Sequence, residues 1–197
     1  LASLGVTSRT QSQRDQMGVD SLTRAVFLDR DGVINQALIR DGRPFSPTNM
    51  DEFSWVDGIK EAARELKRAG YMLFCATNQP DVGRGLQKRQ VVESFHSTIL
   101  KGLPLEKIYV CYHDDRDGCA CRKPRPGMLL EASREYGLNL AESWLVGDRW
   151  KDIDAGYAAG CRTVFLNYDY DECLNNPPDH TIRCIEQLSP LIIGETE

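Results

Sequence analysis

Short runs of apolar residues alternate with amphipathic segments along most of the chain. The first run, Ala25–Leu28, stops at Asp29 and is typical of a strand that is buried on both faces. Four later runs predict further strands, and apolar residues at three- and four-residue spacing predict helices between them. The predicted strands are Ala25–Leu28, Tyr71–Ala76, Ile108–Cys111, Ser143–Val146 and Thr163–Leu166, and the predicted helices cover residues 59–69, 91–99, 128–136 and 150–159.

The order of these elements predicts an α/β fold. Strands that alternate with helices need right-handed crossovers, which produce a parallel sheet covered by helices on both faces. The segment 32–56, rich in Pro, Asn, Asp and Gly, forms a long excursion between the first strand and the first helix. The region near Thr181–Ile192 is predicted to hold one short strand or helix. We therefore expect a polar leader or linker at residues 1–23, a single domain at 24–192 and a short tail at 193–197.

Length and composition indicate a single globular domain and argue against a membrane-spanning or secreted protein. The chain has 197 residues, of which 41% are hydrophobic, and a formal charge of −5. That length and apolar content suit one domain with a substantial core. No apolar run approaches the roughly 18 residues of a membrane-spanning helix, and the first twenty residues lack the apolar stretch of a secretory signal. We therefore expect a cytoplasmic protein with no membrane partner.

The net charge and its distribution along the chain also indicate which class of partner the protein binds. The mildly acidic balance comes without a Lys- or Arg-rich stripe. Nucleic-acid backbones are bound by clustered positive charge, so we expect no nucleic-acid partner. A small molecule is the expected ligand, and we expect the chain to be a monomer.

Polar residues follow the predicted strands at the points where the strands end. In an open parallel sheet, ligands bind outside the carboxyl ends of the strands. The residues placed in this way are Asp29, Asp31, Thr77, Asn78, Asp148 and Asp152.

Asp29 and Asp31 stand at positions i and i+2, so an extended backbone projects both carboxylates to one side. Two carboxylates this close favour a bound cation. One can attack phosphorus while the other donates a proton to the leaving oxygen and later activates water. The alternative is that Asp-Arg-Asp-Gly forms a turn or helix cap with solvated acids.

Three further elements point to the same chemistry. Thr77 and Asn78 supply donors for phosphate oxygens, and Lys123 supplies a compact positive charge. Asp148 and Asp152 add oxygen ligands that suit Mg²⁺. Each has a structural alternative, namely a helix cap for Thr77, a solvated loop charge for Lys123, and a helix cap or dipole partner for the two acids.

Four residues of types that bind metals, three cysteines and one histidine, lie close together in one short segment. Cys111 and His113 are separated by five residues from Cys119 and Cys121. Three thiolates and one imidazole suit tetrahedral Zn²⁺ and leave no open position, which predicts a structural zinc that clamps the loop before Arg122 and Lys123. The alternative is ordinary free cysteines and a surface histidine.

Taken together, these motifs resemble those of the haloacid dehalogenase superfamily of phosphatases. The resemblance rests on Phe27–Asn35, Thr77–Gln79, Lys123, and Gly147-Asp148 with Asp152, and it extends from about residue 25 to 166. It implies a Rossmann-like sheet with strand order 3-2-1-4-5 and a phospho-aspartate intermediate on Asp29 with Asp31 as acid and base. The motifs are separated by no insertion large enough for a cap domain, so we expect no large cap domain. The resemblance further implies that Thr77 and Lys123 steady the phosphoryl group. Mg²⁺ would be held by Asp29, the main-chain carbonyl of Asp31 and Asp148, with Asp152 behind them.

Within that superfamily, the loop that ends in Cys121-Arg122-Lys123-Pro124 resembles a branch with two known substrate types. One type is heptose 1,7-bisphosphate and the other is histidinol phosphate. The Arg-Pro-Gly-Met sequence after Pro124 favours removal of the C7 phosphate of the heptose, whereas the short spacer in the cysteine segment also suits the histidinol-phosphate enzymes. A third possibility is a non-catalytic domain that binds a phosphorylated ligand. The expected substrate-binding residues are Asn78, Gln79, Arg122 and Arg149.

Overall fold

The computed structural model describes residues 23–195, so most of the predicted leader and the last two residues of the predicted tail lie outside the described part. In chain order, the strands are β1 (Ala25–Leu28), β2 (Leu38–Arg40), β3 (Arg43–Phe45), β4 (Met72–Asn78), β5 (Lys107–Cys111), β6 (Trp144–Gly147), β7 (Arg162–Leu166) and β8 (His180–Ile182). The α-helices are α1 (Ile59–Arg68), α2 (Pro80–Gly83), α3 (Arg89–Gly102), α4 (Gly127–Tyr136), α5 (Trp150–Ala159) and α6 (Leu188–Gly194). The last helix thus extends two residues into the segment predicted to be a tail.

Six strands form one sheet in the order β5-β4-β1-β6-β7-β8, and every neighbouring pair is parallel. The first five strands of this sheet in chain order therefore have the predicted order 3-2-1-4-5. β8 adds a sixth strand at the edge beside β7, and α6 follows it, so the region near Thr181–Ile192 contains both a strand and a helix.

Helices cover both faces of the sheet because successive strand residues point to opposite sides. Val26 and Leu28 belong to one apolar cluster, whereas Ala25 and Phe27 belong to a second. The buried face of α1 packs in the first cluster, and that of α4 packs in the second. The predicted α/β class with helices on both faces is confirmed.

The register of the central strands brings the predicted site residues to one edge. Leu28 lies opposite Cys75 in β4 and Val146 in β6, so the three strands end close together. β4 runs two residues beyond its predicted end, which makes Thr77 and Asn78 its last residues. Within residues 23–195, no helix has the length and hydrophobicity needed to span a membrane.

The excursion over residues 32–56 contains two strands that the sequence did not indicate, since β2 and β3 form an antiparallel hairpin there. Asp41 and Gly42 occupy its turn with φ values of 49° and 70°. A two-residue turn with both φ values positive matches the twist of a hairpin, and Asp-Gly is the sequence that favours it. The hairpin lies in the long connection between β1 and α1. This connection therefore holds a small hairpin and no large cap domain.

Candidate active site and metal centres

A cavity of about 270 Å³ lies outside the carboxyl ends of β1, β4 and β6. Most of the predicted site residues line it, namely Asp29, Asp31, Asn78, Arg122, Lys123, Asp148, Arg149 and Asp152. Pro44 and Phe45 from the hairpin, together with Ser46 directly after it, form part of its wall. Thr77 and Gln79 are buried and lie outside the lining.

Lys123 connects the acidic residues at the floor of the cavity. Its Nζ lies 2.8 Å from Oδ1 of Asp29 and 2.5 Å from Oδ1 of Asp152, and it donates to the carbonyl of Ala76 at 2.7 Å. The side chain is only 2% exposed. Burial lowers the pKa of Lys123, but Asp152 and Asp29 outweigh this and raise it overall. The ammonium is therefore held charged beside Asp29.

Carboxylate oxygens of Asp29, Asp148 and Asp152 lie within 4.8 Å of one another. Burial raises the pKa of Asp29 to about 7; Lys123 opposes this shift, and Asp152 adds to it. Burial and the charge of Asp29 also raise the pKa of Asp148 well above its usual value. Oδ1 of Asp148 has no hydrogen-bond partner among the described residues. Crowded carboxylates with an unpartnered buried oxygen fit a hard cation such as Mg²⁺.

Asp152 differs from the other two acids in its contacts. It pairs with Lys123, and its Oδ2 accepts from the backbone N–H of Arg149 at 3.1 Å, at the start of α5. These bonds occupy its carboxylate from two directions. Asp29 and Asp148 are left as the side chains best placed to hold the cation.

Asp31 lies among hydrogen-bond donors. Arg30 pairs with it at 2.8 Å, Asn35 and Ser46 donate to it at 2.9 and 2.7 Å, and Gln79 donates at 2.9 Å. Burial opposes its ionisation, but Arg30 and these hydrogen bonds together lower the pKa of Asp31. The Asp31 side chain is therefore held as the ionised carboxylate, which can accept a proton.

The side chain of Asn78 bridges two distant parts of the chain. Its Nδ2 donates to the carbonyl of Lys123 at 3.0 Å, and its Oδ1 accepts from the N–H of Lys123 at 3.1 Å. Asn78 was predicted to bind substrate, and it does line the cavity. Its amide is also what aligns the backbone of Lys123 with the end of β4.

The predicted zinc ligands converge. The three sulfur atoms of Cys111, Cys119 and Cys121 lie 3.2–3.6 Å apart. Nδ1 of His113 lies 3.5 Å from Sγ of Cys111 and 3.4 Å from Sγ of Cys121. A tetrahedral site with Zn–S bonds of about 2.3 Å places its sulfur atoms about 3.8 Å apart. The four side chains therefore have the spacing of the corners of such a site.

Arg122 and Arg149 are both engaged with acidic partners. Nε of Arg122 donates to Oδ1 of Asp115 at 2.7 Å, and Arg149 pairs with Glu172. Both arginines line the cavity, so their guanidinium groups are within reach of a ligand there.

Four further side chains, which the sequence did not indicate, lie at the cavity or contact Asp31. Arg84 and Lys151 line the cavity and add positive charge to it, while Arg30 and Ser46 hold Asp31. Lys151 lies inside the acidic segment that follows β6, and Arg84 directly follows the short helix α2. Position in the segments that follow β4 and β6 is the signal that would have found these two. Ser46 comes from the hairpin region, which had no such signal.

Comparison with known proteins agrees with this geometry. Residues 120–187 match the family model described as HAD-hydrolase-like. Over 154 residues, the chain is 39% identical to D-glycero-beta-D-manno-heptose-1,7-bisphosphate 7-phosphatase of Photorhabdus laumondii, covering 72% of this chain and 79% of that protein. Over 149 residues, it is 38% identical to the corresponding alpha-heptose enzyme of Campylobacter jejuni, covering 73% and 82%.

A solved structure is similar over nearly its whole length. It is the D,D-heptose 1,7-bisphosphate phosphatase of B. bronchiseptica in complex with magnesium and phosphate. The TM-score is 0.75 at 28% identity, and the match covers 88% of this chain and 99% of that one. The parallel sheet, the acids at its edge and these matches together identify the chain as a member of the haloacid dehalogenase-like hydrolase family that contains the heptose bisphosphate phosphatases.

Proposed function

We propose that this protein is a phosphatase that removes the C7 phosphate of D-glycero-D-manno-heptose 1,7-bisphosphate. The observation that carries the proposal is the contact of Lys123 with Asp29, 2.8 Å apart at the floor of a cavity that Asp148 also lines. A carboxylate beside a fixed ammonium suits attack on a phosphoryl group, whose charge the ammonium offsets. Two relatives, 39% and 38% identical to this chain, are named for this reaction.

The proposed reaction has two steps. An oxygen of Asp29 attacks phosphorus, the bond from phosphorus to the C7 oxygen breaks, and Asp31 gives that oxygen its proton. Water then attacks the phosphorus of the aspartyl phosphate, Asp31 takes a proton from it, and inorganic phosphate leaves with Asp29 restored. The structure described here has Asp31 surrounded by donors, which corresponds to the form that accepts the proton from water.

Donors around Asp29 would stabilise the charge on the transferred group. Lys123 lies against Asp29, and we assign Thr77 the role of a second donor to the phosphoryl oxygens. Mg²⁺, which members of this superfamily use, would offset phosphate charge, and Asp29, Asp148 and the main-chain carbonyl of Asp31 would hold it.

We propose a structural Zn²⁺ on Cys111, His113, Cys119 and Cys121. Their spacing fits a closed tetrahedral site. Cys121 directly precedes Arg122 and Lys123, so a metal here would restrain the loop that delivers both cations to the cavity. The side chain of Asn78 secures the same loop from the β4 side.

The second phosphate of the substrate needs positive charge away from Asp29. We assign this role to Arg122 and Arg149, the predicted pair, together with Arg84 and Lys151. Guanidinium groups bind phosphate through two parallel hydrogen bonds, which suits the two arginines. For Arg122, the phosphate would replace Asp115, whose side chain is 62% exposed and free to turn into solvent.

Phosphate release tests the proposal most directly. Release is measured with Mg²⁺ and with EDTA from both anomers of the heptose bisphosphate, histidinol phosphate and a 3′-phosphorylated oligonucleotide. We expect Mg²⁺-dependent release from a heptose bisphosphate, and comparison of its anomers would assign the preferred one, since relatives of both kinds are known. Preference for histidinol phosphate would replace the substrate assignment. Absence of release from all of them would favour the non-catalytic alternative.

Asp29→Asn provides the matching variant. It removes the nucleophilic oxygen while keeping the shape of the side chain, so turnover should be lost with the fold intact. Asp51→Asn changes an exposed acid of the same type and should keep full activity. Full activity in Asp29→Asn would contradict the aspartyl-phosphate mechanism. The monomeric state and the cytoplasmic location expected from the sequence remain predictions.

A further inference from the structure

The side chain of Gln79 lies outside the cavity and uses both ends of its amide within the protein. It is 4% exposed. Its Oε1 accepts from Nη2 of Arg30 at 2.9 Å. Its Nε2 donates to Oδ2 of Asp31 at 2.9 Å and to Oγ1 of Thr77 at 3.0 Å. Both N–H groups of the amide are thus used within the protein, so the side chain has no donor left to offer a phosphate oxygen.

The neighbours of Gln79 allow only one orientation of its amide. Arg30 carries donors and no acceptor, so the group that faces it must be the amide oxygen. The reversed amide would place two donors against each other at Arg30 and two acceptors against each other at Asp31. The backbone is held as well, because the N–H of Gln79 donates to the carbonyl of Cys111 in β5 at 2.7 Å.

This orientation determines how the Thr77 hydroxyl is used. Its oxygen accepts a hydrogen bond from Gln79, so its own hydrogen is left to donate. Within residues 23–195, no protein group accepts that hydrogen. Thr77 follows Ala76, whose carbonyl holds the same ammonium that contacts Asp29. The hydroxyl is thus prepared to donate to an oxygen of a phosphoryl group on Asp29.

The same amide group restrains Asp31. Gln79 and Ser46 both donate to Oδ2, while Asn35 donates to Oδ1, so the carboxylate plane is held from three elements of the chain. Of these donors, only the Gln79 Nε2 also contacts Thr77. A single buried amide therefore sets the geometry of two residues with assigned roles in the reaction.

We propose that Gln79 is a positioning residue that directs the Thr77 hydroxyl as a donor and orients the Asp31 carboxylate. This replaces the substrate-binding role that the sequence predicted for it. The inference rests on the proposed function, because it assigns Gln79 an effect on the chemical steps. It predicts that loss of the amide lowers kcat and leaves KM nearly unchanged.

A double-mutant cycle tests this role. Turnover of the heptose bisphosphate is measured for the wild type, Gln79→Leu, Thr77→Val and the double variant. We expect kcat to fall about 10- to 100-fold in Gln79→Leu, as for other small displacements of reacting groups, with KM within about twofold of wild type. The two losses should combine to less than their product, because Gln79 acts partly through Thr77.

Three controls separate positioning from folding. Gln79→Glu keeps an acceptor for Arg30 but removes the donor, so it should lose kcat as Gln79→Leu does even if the leucine variant unfolds. Calorimetric binding of inorganic phosphate in the presence of Mg²⁺ reports whether the cavity is intact in each variant. Gln90→Leu changes an exposed glutamine on α3 and should behave as wild type.

Two results would contradict the positioning role of Gln79. A raised KM with unchanged kcat would restore the substrate-binding role, and multiplicative losses in the double variant would reduce Gln79 to a general structural residue. Either result overturns the inference while wild-type turnover leaves the proposed function standing. A wild-type protein without turnover would remove the proposed function and this inference with it.

Discussion

Gly32 and Asp148 lie so close that a Cβ atom on Gly32 would be 2.0 Å from Oδ2 of Asp148. Gly32 also has a φ of 86°, which disfavours any residue with a side chain. Gly32→Ala should therefore displace Asp148 from the proposed Mg²⁺ site. We expect the Mg²⁺ concentration that gives half-maximal activity to rise and kcat to fall about 100-fold, since displacements of about 1 Å have effects of that size.

Gly70→Ala is the matched control for Gly32→Ala. Gly70 has a similar φ of 90°, but a Cβ atom there would meet nothing within 4 Å. Both variants should lose about 1–2 kcal/mol of stability through backbone strain, and only Gly32→Ala should change the Mg²⁺ dependence. Equal Mg²⁺ dependence in the two variants would refute the placement of Asp148 in the metal site.

Removal of one zinc ligand should release the metal and loosen the loop that carries Lys123. In Cys121→Ser, zinc per chain measured by metal analysis should fall from one to near zero. A ligand at 100 times its Kd contributes about 2.7 kcal/mol of stability, so Tm should fall by about 5–10 °C. Cys173→Ser changes an exposed free cysteine and should keep both zinc and Tm. Zinc retained in Cys121→Ser would contradict the assigned ligand set.

Arg122→Ala should weaken binding of the bisphosphate without affecting the chemistry at Asp29. A charge-assisted hydrogen bond contributes about 1.5–3 kcal/mol, so KM for the heptose bisphosphate should rise about 10- to 100-fold. A heptose that carries only the C7 phosphate should show little change. Arg64→Ala removes an arginine whose side chain is 52% exposed on α1 and serves as the control. An equal loss for both substrates would assign Arg122 to the transferred phosphate instead.

The buried imidazole of His96 should make stability depend on pH. Burial, with a contribution from the positive charge of Arg30, lowers the pKa of His96 from 6.5 to about 4, and Asp31 opposes the shift. The unfolded chain therefore binds more protons between pH 6.5 and pH 4, so the folded state loses stability as the pH falls through this range. The expected loss reaches about 3 kcal/mol at the acidic end.

His96→Gln tests that assignment. The variant cannot take up a proton, so the difference in stability between the two proteins should shrink or change sign as the pH falls. Urea unfolding at pH 7 and pH 5 gives the free energy of unfolding for both, and we expect the wild type alone to lose about 2 kcal/mol from this group. His180→Gln, at a partly exposed histidine, is the comparison. Equal pH slopes in wild type and His96→Gln would contradict the lowered pKa.

Several features of the fold follow from local sequence alone. The strands and helices are readable because burial imposes a period of two or 3.6 residues on short segments. The positions of the acids at the strand ends can be predicted in the same way, since Asp29 and Asp148 follow the apolar segments that form β1 and β6. The strand order 3-2-1-4-5 came from the family resemblance of these motifs, and the sheet confirms it. The Asp-Gly turn of the hairpin was also present in the sequence and was missed.

The contacts of individual side chains could be predicted from the sequence much less well. Asn78 holds the backbone of Lys123, 45 residues away along the chain. Gln79 faces Arg30 and Asp31 although it was expected to face the substrate. Ser46 reaches Asp31 from beyond the hairpin, a contact that no spacing in the sequence indicates.

The sequence by itself thus determined which residue types meet at the carboxyl edge of the sheet. Parallel strands place their carboxyl ends at the same edge, and the conformation of the loops does not change this. Only the tertiary structure decided which of those side chains face the cavity and which face one another. That choice depends on packing and hydrogen bonds between residues far apart in the chain. For Gln79, it depends on Arg30 being a donor without an acceptor, next to an amide that has both.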